Sequence, residues 1–68
     1  MAMRIGDRVR LRNGVRGLSN EPQKGKIGLL REIRVPQVED VAEDSYLVHF
    51  EEGDPDNGWY PQSSVELA

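Results

Sequence analysis

The chain has 68 residues, with 12 acidic and 9 basic side chains, one histidine and no cysteine. That length makes one domain with a small core, and the missing cysteines exclude a disulfide framework or a thiolate metal site. No apolar run is long enough to cross a bilayer and no signal-peptide pattern is present, so a soluble, cytoplasmic protein without a membrane partner is expected.

Charge is divided along the chain. Residues 1–34 hold nine basic residues (Arg4, Arg8, Arg10, Arg12, Arg16, Lys24, Lys26, Arg31 and Arg34) against Asp7, Glu21 and Glu32, a net +6. Residues 35–68 hold nine acids and no base, a net −9. Charge of this kind steers encounter and selects partners more than it sets a fold.

Gly6-Asp7 reads as a turn that starts the first strand. From Arg8 to Arg12 the chain alternates strictly, so Val9 and Leu11 are expected to face a core while Arg8, Arg10 and Arg12 line the outer face. Residues 13–25 carry Asn13-Gly14, Gly17, Ser19-Asn20, Pro22 and Gly25 without periodicity, which is turn chemistry and predicts a long loop. Leu18 and Val15 are its candidates for a satellite of the core. Lys26 to Val35 predicts the second strand, with Ile27, Leu29, Ile33 and Val35 on one parity. Arg31 breaks that parity and Leu30 sits opposite, which places a bulge or strong twist near Leu30-Arg31. Helical spacing of Leu29, Leu30 and Ile33 competes, but Gly25, Gly28, the β-branched residues and Pro36 favour a strand.

Residues 36–44 are acidic and read as a loop containing Val38 and Val41. Ser45 to Glu51 predicts a third strand with Tyr46, Val48 and Phe50 on one face. Glu52 to Asn57 reads as a second acidic loop closed by Gly58. Trp59-Tyr60 begins a short fourth strand, Pro61 to Ser64 fits a single helical turn, and Val65 to Leu67 is a last strand. Five short strands in one domain, residues 1–68, predict an all-β fold closed into a small barrel. The expected core is Val9, Leu11, Ile27, Leu29, Ile33, Val48, Phe50, Val65 and Leu67.

Two stretches carry a likeness. Gly58-Trp59-Tyr60-Pro61-Gln62-Ser63-Ser64-Val65-Glu66-Leu67 resembles the ending of signalling SH3 domains, where glycine, two apolar residues and proline lead through a helical turn to a final strand. Gly6-Asp7-Arg8-Val9-Arg10-Leu11 is similar to the opening of prokaryotic SH3-like domains. Those include KOW-type modules, the nitrile hydratase β-chain barrel, the small peripheral barrel subunit of photosystem I and the variable chain of ferredoxin–thioredoxin reductase. The resemblance to the SH3-like superfamily covers nearly the whole chain. It implies a five-stranded SH3-like barrel with a long first loop and a short helical turn before the last strand. The barrel hosts many activities, so it implies little about function. The proline-binding groove of signalling SH3 domains does not carry over: only Pro61 matches, Ser64 stands where the ligand-contacting tyrosine would be, and the aromatic opening is absent. In that family the position of Trp59 packs inward.

The remaining constellations divide into weak and usable ones. Asp54-Pro55-Asp56-Asn57-Gly58 invites a calcium reading, but an EF-hand needs a glycine where Asn57 stands and a distant bidentate glutamate, so a turn with solvated acids is expected. Glu39, Asp40, Glu43 and Asp44 receive the same solvated reading. His49 lies on the parity opposite Val48 and Phe50, with no recognisable triad or metal set, so no catalysis and no cofactor are expected. The basic set Arg8, Arg10, Arg12, Arg16 and Lys24, with Trp59 and Tyr60 as aromatic anchors, is the expected partner-binding surface. A non-enzymatic binding or accessory module that docks on a protein partner is the first reading. KOW-like RNA or DNA binding through Arg8, Arg10 and Arg12 is the alternative. Cross-strand pairing of this stripe with Glu51 and Glu66 is the competing structural role.

Overall fold

The computed structural model describes residues 3–12, 15–16, 19–20, 25–36 and 43–68. The strands are β1 (Arg8–Leu11), β2 (Ile27–Arg34), β3 (Ser45–His49), β4 (Gly58–Pro61) and β5 (Val65–Leu67), with one 3-10 turn, Gln62–Ser64, between the last two. All pair antiparallel in a single sheet of order β4-β3-β2-β1-β5. Among the described residues no helix is long and apolar enough to cross a membrane. Lys24, Leu18, Val38, Val41, Glu39 and Asp40 lie outside the described residues, as do Asn13, Gly14, Gly17 and Pro22 of the first loop.

The connection from β4 to β5 forces the sheet to curl. These two strands are its opposite edges. In a flat sheet, edges four strand spacings apart would be separated by about 19 Å. The step from Pro61 to Val65 covers under about 15 Å even when fully stretched. The two edges are therefore brought toward one another, and the inner face becomes concave around the core.

That core is Val9, Leu11, Leu30, Tyr46, Val48, Tyr60 and Val65, with Met3, Val15, Ile33 and Phe50 packed at its margin. The expected Val9, Leu11, Val48 and Val65 are buried. Ile27, Leu29 and Leu67, read as core from the sequence, are instead exposed by 49%, 42% and 43%. The cause in β2 is the expected bulge. Leu30 pairs with Val48 and Glu32 with Leu47, which leaves Arg31 as an extra residue between two ladder positions. The insertion lets Leu30 and Ile33, three apart, both point inward, so the parity of Ile27 and Leu29 is the outward one before the bulge.

Gly28 shares the inward side with Leu30. A Cβ there would lie 2.9 Å from the carbonyl oxygen of His49 and 3.0 Å from both Phe50 Cδ1 and Val48 Cγ1. Only glycine lets β2 approach β3 this closely, which is a recognised use of glycine inside a strand. Gly6 has φ of 97° in the turn before β1. Its N–H donates to the Leu30 carbonyl at 2.7 Å while the Leu30 N–H donates to the Asp7 carbonyl at 3.0 Å. The Gly6-Asp7 turn thus extends the β1–β2 ladder beyond the strand itself.

Candidate functional site

Cross-strand partners share a face of a sheet, so the registers map the outer surface directly. Glu66, Arg10 and Ile27 form one row across β5, β1 and β2. Arg8, Leu29 and His49 form the next across β1, β2 and β3. Glu32, Leu47 and Trp59 follow across β2, β3 and β4, and then Arg34, Ser45 and Pro61. The result is an apolar diagonal, Ile27–Leu29–Leu47–Trp59, edged by Arg8, Arg10, Arg31 and Arg34.

Trp59 does not pack inward. It is 41% exposed, and the Arg34 guanidinium lies over its ring at 4.8 Å from the centroid. The stacking holds the indole against the sheet and places a cation beside the apolar surface, with a stabilisation of about 0.5–1 kcal/mol at an exposed site. Tyr60, the other expected anchor, is buried in the core and donates its hydroxyl to the Asp56 carbonyl at 2.6 Å. Alternation in β4 explains the exchange: one of two adjacent aromatics must face out, and Tyr60 sits opposite the inward Tyr46.

The arginine stripe is present on β1 but is unequally available. Arg10 pairs with Glu66, with Nη2 and Nε at 2.9 and 3.0 Å from Oε2. Arg12 donates to the Ser63 carbonyl at 3.2 Å. Arg16 donates to the carbonyl of Asn20 at 2.7 Å and so serves its own loop. Among the described residues the side chains of Arg8 and Arg31 have no hydrogen-bond or ion-pair partner, and neither does the Arg34 guanidinium beyond its ring contact. Glu66 partly neutralises the stripe as expected; Glu51 forms no ion pair among the described residues.

Two acids of the β3–β4 turn, Asp54 and Asp56, are not solvated, contrary to the sequence reading, whereas Glu51 and Glu52 are exposed. Asp56 is 3% exposed. Its Oδ1 accepts the N–H and the hydroxyl of Ser19 at 2.9 and 2.7 Å, and its Oδ2 lies 3.0 Å from Lys26 Nζ. The same ammonium reaches Asp54 Oδ2 at 2.7 Å and stands 4.8 Å over the Phe50 ring. Lys26 therefore occupies the space between the two carboxylates that a bound cation would take. The Ser19 N–H, then its hydroxyl, and then Lys26 hold the Asp56 carboxyl down at about 2. Lys26 likewise lowers Asp54, and its hydrogen bond to Asp54 raises Lys26 itself. Asn57 closes the turn, accepting the Phe50 N–H at 2.7 Å and donating to the Glu51 carbonyl at 2.6 Å. Glu43 is also engaged: its carboxylate accepts the N–H and hydroxyl of Ser63 at 3.0 and 3.2 Å, which satisfies a donor at the start of the 3-10 turn. These contacts are structural in character, and they leave the outer sheet face as the candidate site.

Ile27, Leu29, Leu47, Arg31 and Arg34 belong to that face, and the sequence reading did not assign them to it. The available signal was Gly28, whose lack of a side chain marks the inward parity of β2 and so the outward parity of its two neighbours. Compared with models of protein families, with curated proteins and with solved structures, the chain matches none.

Proposed function

We propose that the chain is a small SH3-like barrel that acts as a non-enzymatic docking module. It binds, through the outer face of β1–β4, a protein surface that is apolar at its centre and acidic at its rim. The observation that carries this reading is the Ile27–Leu29–Leu47–Trp59 diagonal, exposed at Ile27, Leu29 and Trp59 and half-buried at Leu47, and edged by Arg8, Arg31 and Arg34, which lack carboxylate partners among the described residues. Exposed apolar surface rimmed by charge is the usual composition of an interface, with tryptophan and arginine as its common anchors. The curled sheet with its 3-10 turn before the last strand is consistent with a barrel whose outer face is free to dock.

Nucleic-acid binding is the competing use of the same arginines. It is favoured by an exposed indole beside Arg34, with Arg8 further across the same face. It is opposed by Glu32 and Glu66 on the same face, and by the burial of both tyrosines, which leaves one exposed ring for stacking.

The test is site-specific photocrosslinking in a nuclease-treated extract of the producing cells, with benzoylphenylalanine at position 59 and, as control, at position 52. The expected result is a discrete protein adduct from position 59 alone, weakened by salt and lost in the Arg8→Glu/Arg34→Glu variant. Adducts that form equally at position 52, or that appear only when nucleic acid is left intact, overturn the reading.

A further inference from the structure

The β2 bulge opens a groove on the outer face. Arg31, Glu32, Leu47, Val48, His49 and Asn57 line it, around a volume of about 490 Å³. Arg31 is the inserted residue, with no opposite number in β3. A bulge costs ladder pairing and re-aims a side chain, which is why bulges gather beside functional sites. Here the re-aimed side chain is a cation, beside the chain's only histidine.

The polar groups of the groove are unequally occupied. Both ends of the Asn57 amide are used by the turn. Arg31, Glu32 and His49, by contrast, have no side-chain hydrogen-bond or ion-pair partner among the described residues. The groove therefore presents two nitrogen-bearing groups suited to an anion, one carboxylate suited to a donor, and Leu47 as an apolar floor leading toward Trp59.

We infer that this groove takes an acidic side chain of a peptide segment, with its carboxylate on Arg31 and His49 and a neighbouring backbone N–H on Glu32. The inference rests on the docking reading and names the chemistry that reading leaves open. Arg31 offers paired donors that match a carboxylate. Glu32 selects the occupant: it repels a free polyanion such as phosphate or a nucleic-acid backbone, yet it accepts from the amide that flanks an acidic residue in a peptide. Leu47, Leu29 and Trp59 continue from the groove and receive the apolar residues next to that acid. The occupant is thus an acidic-hydrophobic segment of a protein partner.

The test uses the full chain labelled with ¹⁵N and titrated with an acetylated, amidated hexapeptide of alternating leucine and glutamate. Its leucine–glutamine counterpart and inorganic phosphate are the comparison probes. The expected result is saturable amide shifts at Arg31, Leu47 and His49, about fivefold weaker binding in Arg31→Gln, and no saturation by phosphate or the glutamine peptide. Binding in His49→Gln is weakened in the same direction, with unchanged spectral dispersion showing that both variants fold. Shifts centred on Trp59 and Arg34 that Arg31→Gln leaves unaltered overturn the groove inference while the docking reading stands. Equal binding of the glutamine peptide, or phosphate saturating the same amides, also overturns it.

Discussion

Replacing Leu30 by alanine tests the inverted parity of β2 most directly. Leu30 is 0% exposed and is among the largest side chains fully enclosed in the core. Truncating a buried leucine to alanine removes its transfer energy and leaves a cavity, at a cost of about 2–5 kcal/mol. A 68-residue domain has a total stability of roughly 3–10 kcal/mol, so the variant is expected to lose a large part of it. The thermal midpoint should fall by more than about 10 °C. Leu29→Ala is the matched control, since Leu29 is 42% exposed and faces away from the core; its cost should stay within about 1 kcal/mol. Urea unfolding followed by the fluorescence of Trp59, the sole tryptophan, measures both. Equal losses in the two variants, or a loss below about 1 kcal/mol for Leu30→Ala, would refute the bulge-imposed parity. The same pair separates stability from docking, because Leu29→Ala should keep the fold and weaken binding at the outer face.

Gly28→Ala should destabilise by about 1–3 kcal/mol, less about 0.5–1 kcal/mol recovered from the unfolded chain, because its Cβ meets backbone that cannot retreat without breaking the β2–β3 ladder. A neutral or stabilising result in the same urea assay contradicts the close approach at 2.9 Å. The Asp56 carboxyl is depressed from its ordinary 3.8 to about 2, so it contributes stability that is complete above about pH 4 and lost as pH falls toward 2. Urea midpoints between pH 5 and pH 2 should therefore fall more steeply in the wild type than in Asp56→Asn, and parallel curves would remove the argument. Lys26 is raised above 10.5; its contribution is present below that pH and lost above it, so in a separate alkaline series of urea midpoints Lys26→Met should lose less stability than the wild type, and equal losses would contradict the pairing. The Arg10–Glu66 pair is partly exposed on both sides, and a double-mutant cycle should return a coupling of only about 0.2–1 kcal/mol, falling with salt.

Parity was legible where alternation was uninterrupted. In β1 the pattern Arg8-Val9-Arg10-Leu11 has no exception, and the inward residues follow from the two-residue period alone. In β2 a majority of apolar residues sits on the parity of Ile27, Leu29, Ile33 and Val35, but the bulge splits that set. Its first half faces out and Ile33 faces in. The sequence marked where the break falls through Arg31, yet which half faces inward depends on Gly28 meeting the His49 carbonyl in β3. That is a contact between distant residues, and no local period encodes it. The same holds for Trp59 and Tyr60, where local chemistry favours neither. The Tyr60 hydroxyl reaches the Asp56 carbonyl, and the residue sits opposite Tyr46 in the ladder and in the same core; these partners decide the choice. Asp56 itself looked solvated because its partners Ser19 and Lys26 lie 37 and 30 residues earlier.

The division of charge between the chain's halves acquires a physical meaning from the topology. Both strands of the basic half, β1 and β2, are adjacent, and strands of the acidic half flank them: β5 on one side, β3 and β4 on the other. If those flanking strands carried their share of acid, the arginines would be cancelled row by row. They do not. β3 reads Ser-Tyr-Leu-Val-His and β4 reads Gly-Trp-Tyr-Pro, without a carboxylate, and only Glu66 of β5 meets an arginine across a strand. The other described acids of that half lie in turns, where Asp54 and Asp56 neutralise Lys26 and Glu43 caps the 3-10 turn. The acidic half thus supplies the neutral, apolar centre of the outer face, Leu47 and Trp59, and leaves Arg8, Arg31 and Arg34 uncompensated at its rim. An apolar centre with a cationic rim selects for an acidic partner surface, whereas a basic sheet interleaved with acids would select for nothing.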